Sequence, residues 1–263
     1  MRRKRPLGQN FLHDENIARE IVRLAAIEPG GTVVEIGPGP GILTQDLLNQ
    51  CGSLLAIEID PKLVRPLAKR FDRDTRFKII EADALQFDYS QAGPRFQVVS
   101  NLPYYAATPI MKRLIHYRQH IINMTLMLQK EVVDRLAAEP GNKEYGSLTV
   151  FTRYHCQVER LLEVGKKCFD PAPKVDSAVI RLTPHPEPPV AVDNDKTFFR
   201  VVHAAFFHKR KMLRNNLKEL GKHFHVDFGK MEQAGIDPSR RGETLSLEEF
   251  ATLSNMIETR THE

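Results

Sequence analysis

No stretch of this chain approaches the roughly 20 consecutive apolar residues that a membrane-spanning helix needs, so a helical membrane protein is excluded. The basic start, Arg2-Arg3-Lys4-Arg5, runs into Pro6, Gly8, Gln9 and Asn10 instead of an apolar run, and so does not read as a secretory signal. Cysteine is scarce. Cys51, Cys156 and Cys168 are odd in number and lack metal-ligand spacing; they read as reduced cytosolic thiols, and neither a disulfide framework nor a metal site is expected. Internal repeats and low-complexity tracts are absent.

What remains is ordinary for a soluble globular protein: 41% hydrophobic and 27% charged residues over 263 positions, enough for one large or two modest domains. The net charge is only +5, but its location matters more than its sum. Positive charge gathers in Arg2, Arg3, Lys4 and Arg5, in His208-Lys209-Arg210-Lys211 with Arg214, and in Arg240-Arg241. Such clusters are the electrostatic footprint of a polyanion binder.

Short apolar runs at residues 32–36, 53–58, 77–81, 96–100 and 124–128 read as buried strands. Helical patterns at 43–49, 63–70, 109–116 and about 130–138 lie between and after them, and an amphipathic helix at 17–26, capped by Asp14 or Asn16, precedes the first. This alternation predicts an α/β fold: a mainly parallel, Rossmann-like sheet with helices on both faces. Runs near 148–154 and 178–182 are expected to complete it, with an antiparallel edge. Pro184-His185-Pro186-Glu187-Pro188-Pro189 has linker composition. Beyond it only helices are expected, at 198–207, 212–220, 230–234 and 247–257. The predicted division is a sheet domain over 1–185 and a small all-helical domain over 190–263.

Three loops at strand ends carry the chemistry. Glu35-Ile36-Gly37-Pro38-Gly39-Pro40-Gly41 follows the first strand. Its spacing is G-x-G-x-G, not the G-x-G-x-x-G of a pyrophosphate site, and suits a ligand whose nucleoside passes over Gly37 and Gly39. Glu58 ends the second strand, where a carboxylate can accept both ribose hydroxyls; Asp60 is expected to start the next turn before Pro61. Asp83, in Glu81-Ala82-Asp83-Ala84 after the third strand, can accept from an adenine amine. An adenosine-containing ligand is implied, and S-adenosyl-L-methionine fits best. The fourth signal is Asn101-Leu102-Pro103-Tyr104, after the strand at 96–100. Asn101 offers an amide acceptor, Pro103 stiffens the turn so that nearby carbonyls point outward, and Tyr104 offers a ring face for a base. Together they read as a clamp for a planar ring bearing an exocyclic amine.

With these segments the chain resembles the KsgA-type small-subunit ribosomal RNA adenine dimethyltransferases over nearly its whole length. The matching segments are Gly8-Gln9-Asn10-Phe11-Leu12, the glycine loop, Glu58, Ala82-Asp83-Ala84, Asn101 to Tyr104, Phe169-Asp170-Pro171-Ala172-Pro173-Lys174-Val175-Asp176-Ser177, Lys211-Met212-Leu213-Arg214-Asn215-Asn216-Leu217, and Arg241-Gly242-Glu243-Thr244-Leu245-Ser246-Leu247-Glu248-Glu249-Phe250. The resemblance implies a class I methyltransferase sheet and S-adenosyl-L-methionine as donor. It implies transfer to N6 of two adjacent adenosines in the 3′-terminal hairpin of 16S rRNA, each methylated twice, during small-subunit biogenesis. It implies cofactor contacts at Asn10, Leu12, Gly37, Glu58, Asp83 and Asn101, and Phe169 as the second stacking face opposite Tyr104. Asn10 stands where many bacterial members have His; both can hydrogen-bond.

The expected partner is small-subunit rRNA or a pre-30S particle, met by a cytoplasmic monomer through Arg2, Arg3, Lys4, Arg5, Lys209, Arg210, Lys211 and Arg214. Two other readings stay open at this point. The erythromycin-resistance type of 23S rRNA adenine methyltransferase would use the same catalytic residues, and a non-catalytic ribosome-assembly factor could keep the fold.

Overall fold

The computed structural model describes residues 10–218 and 224–259. Backbone contacts divide them into two compact units, one from Met1–Val133 and Gln157–Pro184, the other from Asp134–Cys156 and His185–Glu263.

The first unit opens with β1 (Phe11–Leu12) and α1 (Glu15–Leu24). Asp14 caps α1, its carboxylate accepting from the backbone N–H groups of Asn16 and Ile17 at 2.9 and 3.2 Å. Strands and helices then alternate: β2 (Thr32–Ile36), α2 (Ile42–Leu48), β3 (Ser53–Glu58), α3 (Pro61–Arg70), β4 (Phe77–Glu81), β5 (Phe96–Asn101), α4 (Ala107–His116) and β6 (Ile121–Gln129). After α5 (Lys130–Leu136) and α6 (Ser147–His155) come β7 (Cys156–Val164), β8 (Phe169–Asp170) and β9 (Ser177–Pro184).

One seven-stranded sheet has the order β4-β3-β2-β5-β6-β9-β7. The pairs from β4 to β6 are parallel, and β9 runs antiparallel to β6, with Gln129 opposite Ser177. Val33, Val34, Leu54, Ala56, Val98, Val99, Leu126 and Met127 are all buried. Apolar side chains on both faces are what a parallel sheet covered by helices demands. A separate ladder pairs Phe11 with Asp170 and Leu12 with Phe169.

The second unit adds α7 (Asp195–Ala205), α8 (Leu213–Leu217), α9 (Phe228–Gln233) and α10 (Leu247–Asn255). Its core gathers Tyr154, Phe198, Leu213, Leu217 and Phe250. The Tyr154 hydroxyl donates to Asp195 at 2.7 Å, anchoring α6 to the start of α7.

Three expectations need correction. The second unit is not all helical, because β10 (Phe224–His225) pairs antiparallel with β11 (Glu258–Thr259). Residues 148–154, read as a strand, form helix α6. Their β-branched and aromatic side chains suit a strand, but tertiary contact overrides propensity. Val150 and Tyr154 pack into the second core, and Thr149 caps the helix start by accepting from the Gly146 N–H at 3.1 Å. The strand that completes the sheet is β7, whose residues between two buried ends are exposed or half-buried without regular alternation. The second unit is also not simply the chain beyond residue 190, because residues 134–156 group with it.

Candidate active site

The carboxyl ends of β4, β3, β2 and β5 lie side by side and form one open cavity of about 170 Å³. Ligands bind at this end of open α/β sheets.

The loop after β2 forms the floor. Gly37, Gly39 and Gly41 have φ of 64°, 57° and 87°, which L-residues other than glycine seldom adopt. Gly39 also lies under the Phe11 ring: a Cβ there would stand 3.1 Å from two ring carbons. Gly41 caps α2, and a Cβ on it would collide with Leu67 of α3. The Gly37 N–H donates to the Ile57 carbonyl at 2.8 Å, stitching this loop to the end of β3.

Glu58 ends β3 and is buried. Its Oε1 accepts from the Ile59 and Asp60 N–H groups at 2.9 and 3.0 Å, while Oε2 has only a long contact, 3.4 Å, from the Gly39 N–H. One oxygen is therefore fixed by backbone, and the other is left as the stronger acceptor for a ligand hydroxyl. Asp60 caps α3, accepting from the Lys62 N–H at 2.9 Å, and takes no part in the cavity wall. Asp83 follows β4 and lines the cavity; its Oδ1 accepts from the Leu85 N–H at 2.8 Å, which fixes the carboxylate. Ile57, Ile59, Ala84 and Leu85 supply apolar wall between the two acids. A carboxylate oxygen held by only one long contact, a second acid and an apolar slot over positive-φ glycines make a donor set that fits an adenosine.

Asn101, Leu102, Pro103 and Tyr104 form the opposite wall. Asn101 is the last residue of β5, in register with Met127, and the Leu102 N–H donates to the Met127 carbonyl at 3.2 Å. The Leu102 side chain is buried and anchors the loop. The Pro103 carbonyl accepts from the Ala106 N–H at 3.0 Å, closing the turn before α4. That oxygen is taken up by the helix start, which leaves the Leu102 carbonyl as the candidate backbone acceptor of the expected pair. The Tyr104 hydroxyl is 2.6 Å from Ser177 Oγ. Burial raises the Tyr104 pKa, the Ser177 hydrogen bond opposes that, and Asp176 adds to it.

Asn10 lies on the cavity wall, its amide donating to the Pro171 carbonyl at 2.5 Å. Two expected residues lie elsewhere. Leu12 and Phe169 are each 3% exposed, and they pack in the core that also holds Ala18, Ile21 and Val179. The β1–β8 ladder explains it: strand alternation turns Phe169 inward and Asp170 outward, so the Phe169 ring is not on the wall.

Two aromatic wall residues escaped the sequence reading. Phe11 covers the glycine loop, and Tyr105 stands at the rim, 58% exposed. Burial and then the negative charges of Glu58 and Asp83 raise the Tyr105 pKa. An aromatic directly after Asn-Leu-Pro-Tyr was the available signal. Glu35 is a further buried acid. Burial pushes its pKa up to about 8, with Glu58 adding to the rise and a 2.7 Å hydrogen bond donated by Thr44 opposing it.

Lys209, Arg210, Lys211 and Arg214 belong to the second unit and are exposed. Arg240 is instead structural: it pairs with Glu249, which completes the capping box of α10 with Ser246. Arg2, Arg3, Lys4 and Arg5 lie outside the described residues.

Residues 1–259 match the family model described as ribosomal RNA adenine dimethylase. A ribosomal RNA small subunit methyltransferase A of Clostridium botulinum is 45% identical over 254 residues, covering 95% of this chain and 92% of the relative. That of Geobacillus thermodenitrificans is 45% identical over 266 residues, covering 97% and 90%. Among solved structures, a dimethyladenosine transferase from Plasmodium falciparum superposes with a TM-score of 0.77 at 26% identity, over 92% of this chain and 95% of that one. The 23S rRNA methyltransferase ErmE does so with a TM-score of 0.72 at 26% identity, over 93% and 98%.

Proposed function

The chain belongs to the ribosomal RNA adenine dimethylase family, and on that premise we propose that it moves methyl groups from S-adenosyl-L-methionine to N6 of two adjacent adenosines in the 3′-terminal hairpin of 16S rRNA, twice on each. The observation that carries this reading is the meeting, in one cavity, of the Glu58 and Asp83 carboxylates with the Asn101 to Tyr104 wall.

When bound, S-adenosyl-L-methionine supplies a methyl group on a sulfonium, which is a good leaving group. Glu58 Oε2 would accept from the ribose and Asp83 from the adenine amine, while the glycine floor would let the backbone pass close beneath. The target adenine must leave its stack, at a cost of a few kcal/mol. Tyr104 stacking offsets about 1–3 kcal/mol of that. An N6 amine is a poor nucleophile because its lone pair is delocalised into the ring. The Asn101 amide oxygen and the Leu102 carbonyl accept its two protons' hydrogen bonds, raise its sp³ character and aim the lone pair. Holding the amine at near-attack distance provides up to roughly 7–11 kcal/mol. No strong base is needed, because the methylated amine sheds its proton readily. Asn101 also borders the donor's end of the cavity, so one residue serves both substrates.

The relatives at 45% identity carry small-subunit names, whereas ErmE is 26% identical, which supports the 16S target over a 23S one. An intact donor cavity supports an enzyme over a purely structural assembly factor. The proposed partner is a pre-30S particle met by a cytoplasmic monomer. The test is transfer of labelled methyl to small subunits that lack the modification, followed by nucleoside analysis. N6,N6-dimethyladenosine in 16S rRNA is expected. Label confined to 23S rRNA supports the erythromycin-resistance reading, and no label supports the assembly factor.

A further inference from the structure

Phe206 and Phe207 follow α7 and part company. Phe206 turns inward, its ring 5.8 Å from that of Phe250 and 6.0 Å from that of Tyr145. Phe207 turns outward and is 55% exposed, one of few large apolar side chains so placed. Its ring meets His208 edge-on at 4.7 Å. Residues 207 to 212 are exposed throughout, and they include Lys209, Arg210 and Lys211. No acidic residue occurs between Asp195 and Glu219.

Exposure here is not looseness. Asn216, 1% exposed, donates its amide N–H groups to the Ala205 and His208 carbonyls at 2.8 and 3.1 Å and accepts from the His208 N–H at 3.2 Å. The Lys211 N–H donates to the His208 carbonyl at 3.0 Å, and the Arg214 N–H to the Pro238 carbonyl at 3.0 Å. A buried amide thus holds the backbone on both sides of Phe207. The loop presents an apolar plane and several cations in a fixed arrangement.

We propose that Phe207 is a stacking platform for one unpaired base of the ribosomal RNA, whose neighbouring phosphates pair with Lys209, Arg210 and Lys211. The proposal rests on the reading above and names an RNA contact within it. A flat ring followed in sequence by cations, with no acid in the same segment, matches a nucleotide, which joins a planar face to an anion. A base inside an A-form duplex hides its face, so the partner is an unpaired one. Pre-ordering the loop reduces the entropy lost on binding.

The experiment measures binding of the full chain to small subunits lacking the modification, over a range of salt. Phe207→Ala should weaken binding by roughly 5- to 150-fold, the loss expected for one base–aromatic stack. The salt slope should stay unchanged, because no phosphate contact is lost. Phe207→Tyr should bind as the wild type does, and Phe207→Leu as weakly as Phe207→Ala. A photo-crosslinking phenylalanine analogue at position 207 should attach to rRNA. Wild-type affinity in Phe207→Ala or in Phe207→Leu, a shallower salt slope, or attachment to ribosomal protein alone overturns the proposal. Methyl transfer by the wild-type chain is followed in parallel. If it transfers no methyl, the functional reading fails; if it does and Phe207→Ala binds normally, only this inference fails.

Discussion

The Tyr104 hydroxyl and the Ser177 hydroxyl stand 2.6 Å apart, which ties the loop after β5 to the first residue of β9. Ser177 is buried, and its strand is paired along β6 with Gln129 opposite it. The ring that would face the target base is therefore oriented by the antiparallel edge of the sheet, across 73 residues of sequence.

Ser177→Ala should free the Tyr104 ring without emptying the cavity. The lost hydrogen bond is worth about 1 kcal/mol. A several-fold lower single-turnover rate is expected, with donor affinity unchanged. Calorimetry alongside rapid-quench kinetics checks both; an unaltered rate means that the pair only fastens the loop.

Asn101→Ala should nearly abolish methyl transfer and leave subunit binding within a few-fold. In the proposed mechanism its amide orients N6, whereas RNA affinity would rest mainly on phosphate contacts. Losing an interaction made in the transition state lowers turnover more than binding. Single-turnover measurement at saturating donor separates the two, and a near-normal rate there would sink the clamp mechanism.

Glu58→Ala should weaken donor binding by about 10- to 150-fold, the loss expected when hydrogen bonds to a charged acceptor disappear. RNA binding should be nearly intact. Titration calorimetry with S-adenosyl-L-methionine decides it, and unchanged affinity removes Glu58 from the site.

Glu35 should make the donor-free protein less stable as pH rises. Folded, it keeps its proton up to about pH 8, whereas its ordinary value is 4.5. Between those values the unfolded chain binds fewer protons, so stability falls by at most about 1.4 kcal/mol per pH unit. That contribution is whole below the ordinary value and is lost as pH climbs through the folded one. Glu35→Gln keeps an acceptor for Thr44 and removes the titration. The variant should gain on the wild type between about pH 5 and pH 8 in urea unfolding; parallel curves for the two proteins contradict a buried neutral acid.

The strands at the sheet centre were legible because both faces of β2, β3 and β5 are buried, so each carries consecutive apolar residues such as Val33-Val34, Leu54 to Ile57 and Val98-Val99. The edge strand β7 and helix α6 were not, since one interleaves charged with apolar residues and the other is rich in strand-forming residues. At the site, the glycine loop, Glu58, Asp83 and Asn101 could be read because each sits directly after a strand, and a parallel sheet brings such ends together whatever the packing elsewhere.

Local order along the chain therefore determined the strand-end loops, and with them the cavity at the carboxyl end of the sheet and its Asn101 to Tyr104 wall. Tertiary structure alone decided which aromatics face that cavity. Phe11 and Tyr105 border it, while Phe169 is drawn into the core by its pairing with Leu12. The physical reason is that a side chain's direction on a two-residue strand depends on its partner's register, and that register joins positions 157 residues apart, where no sequence period reaches.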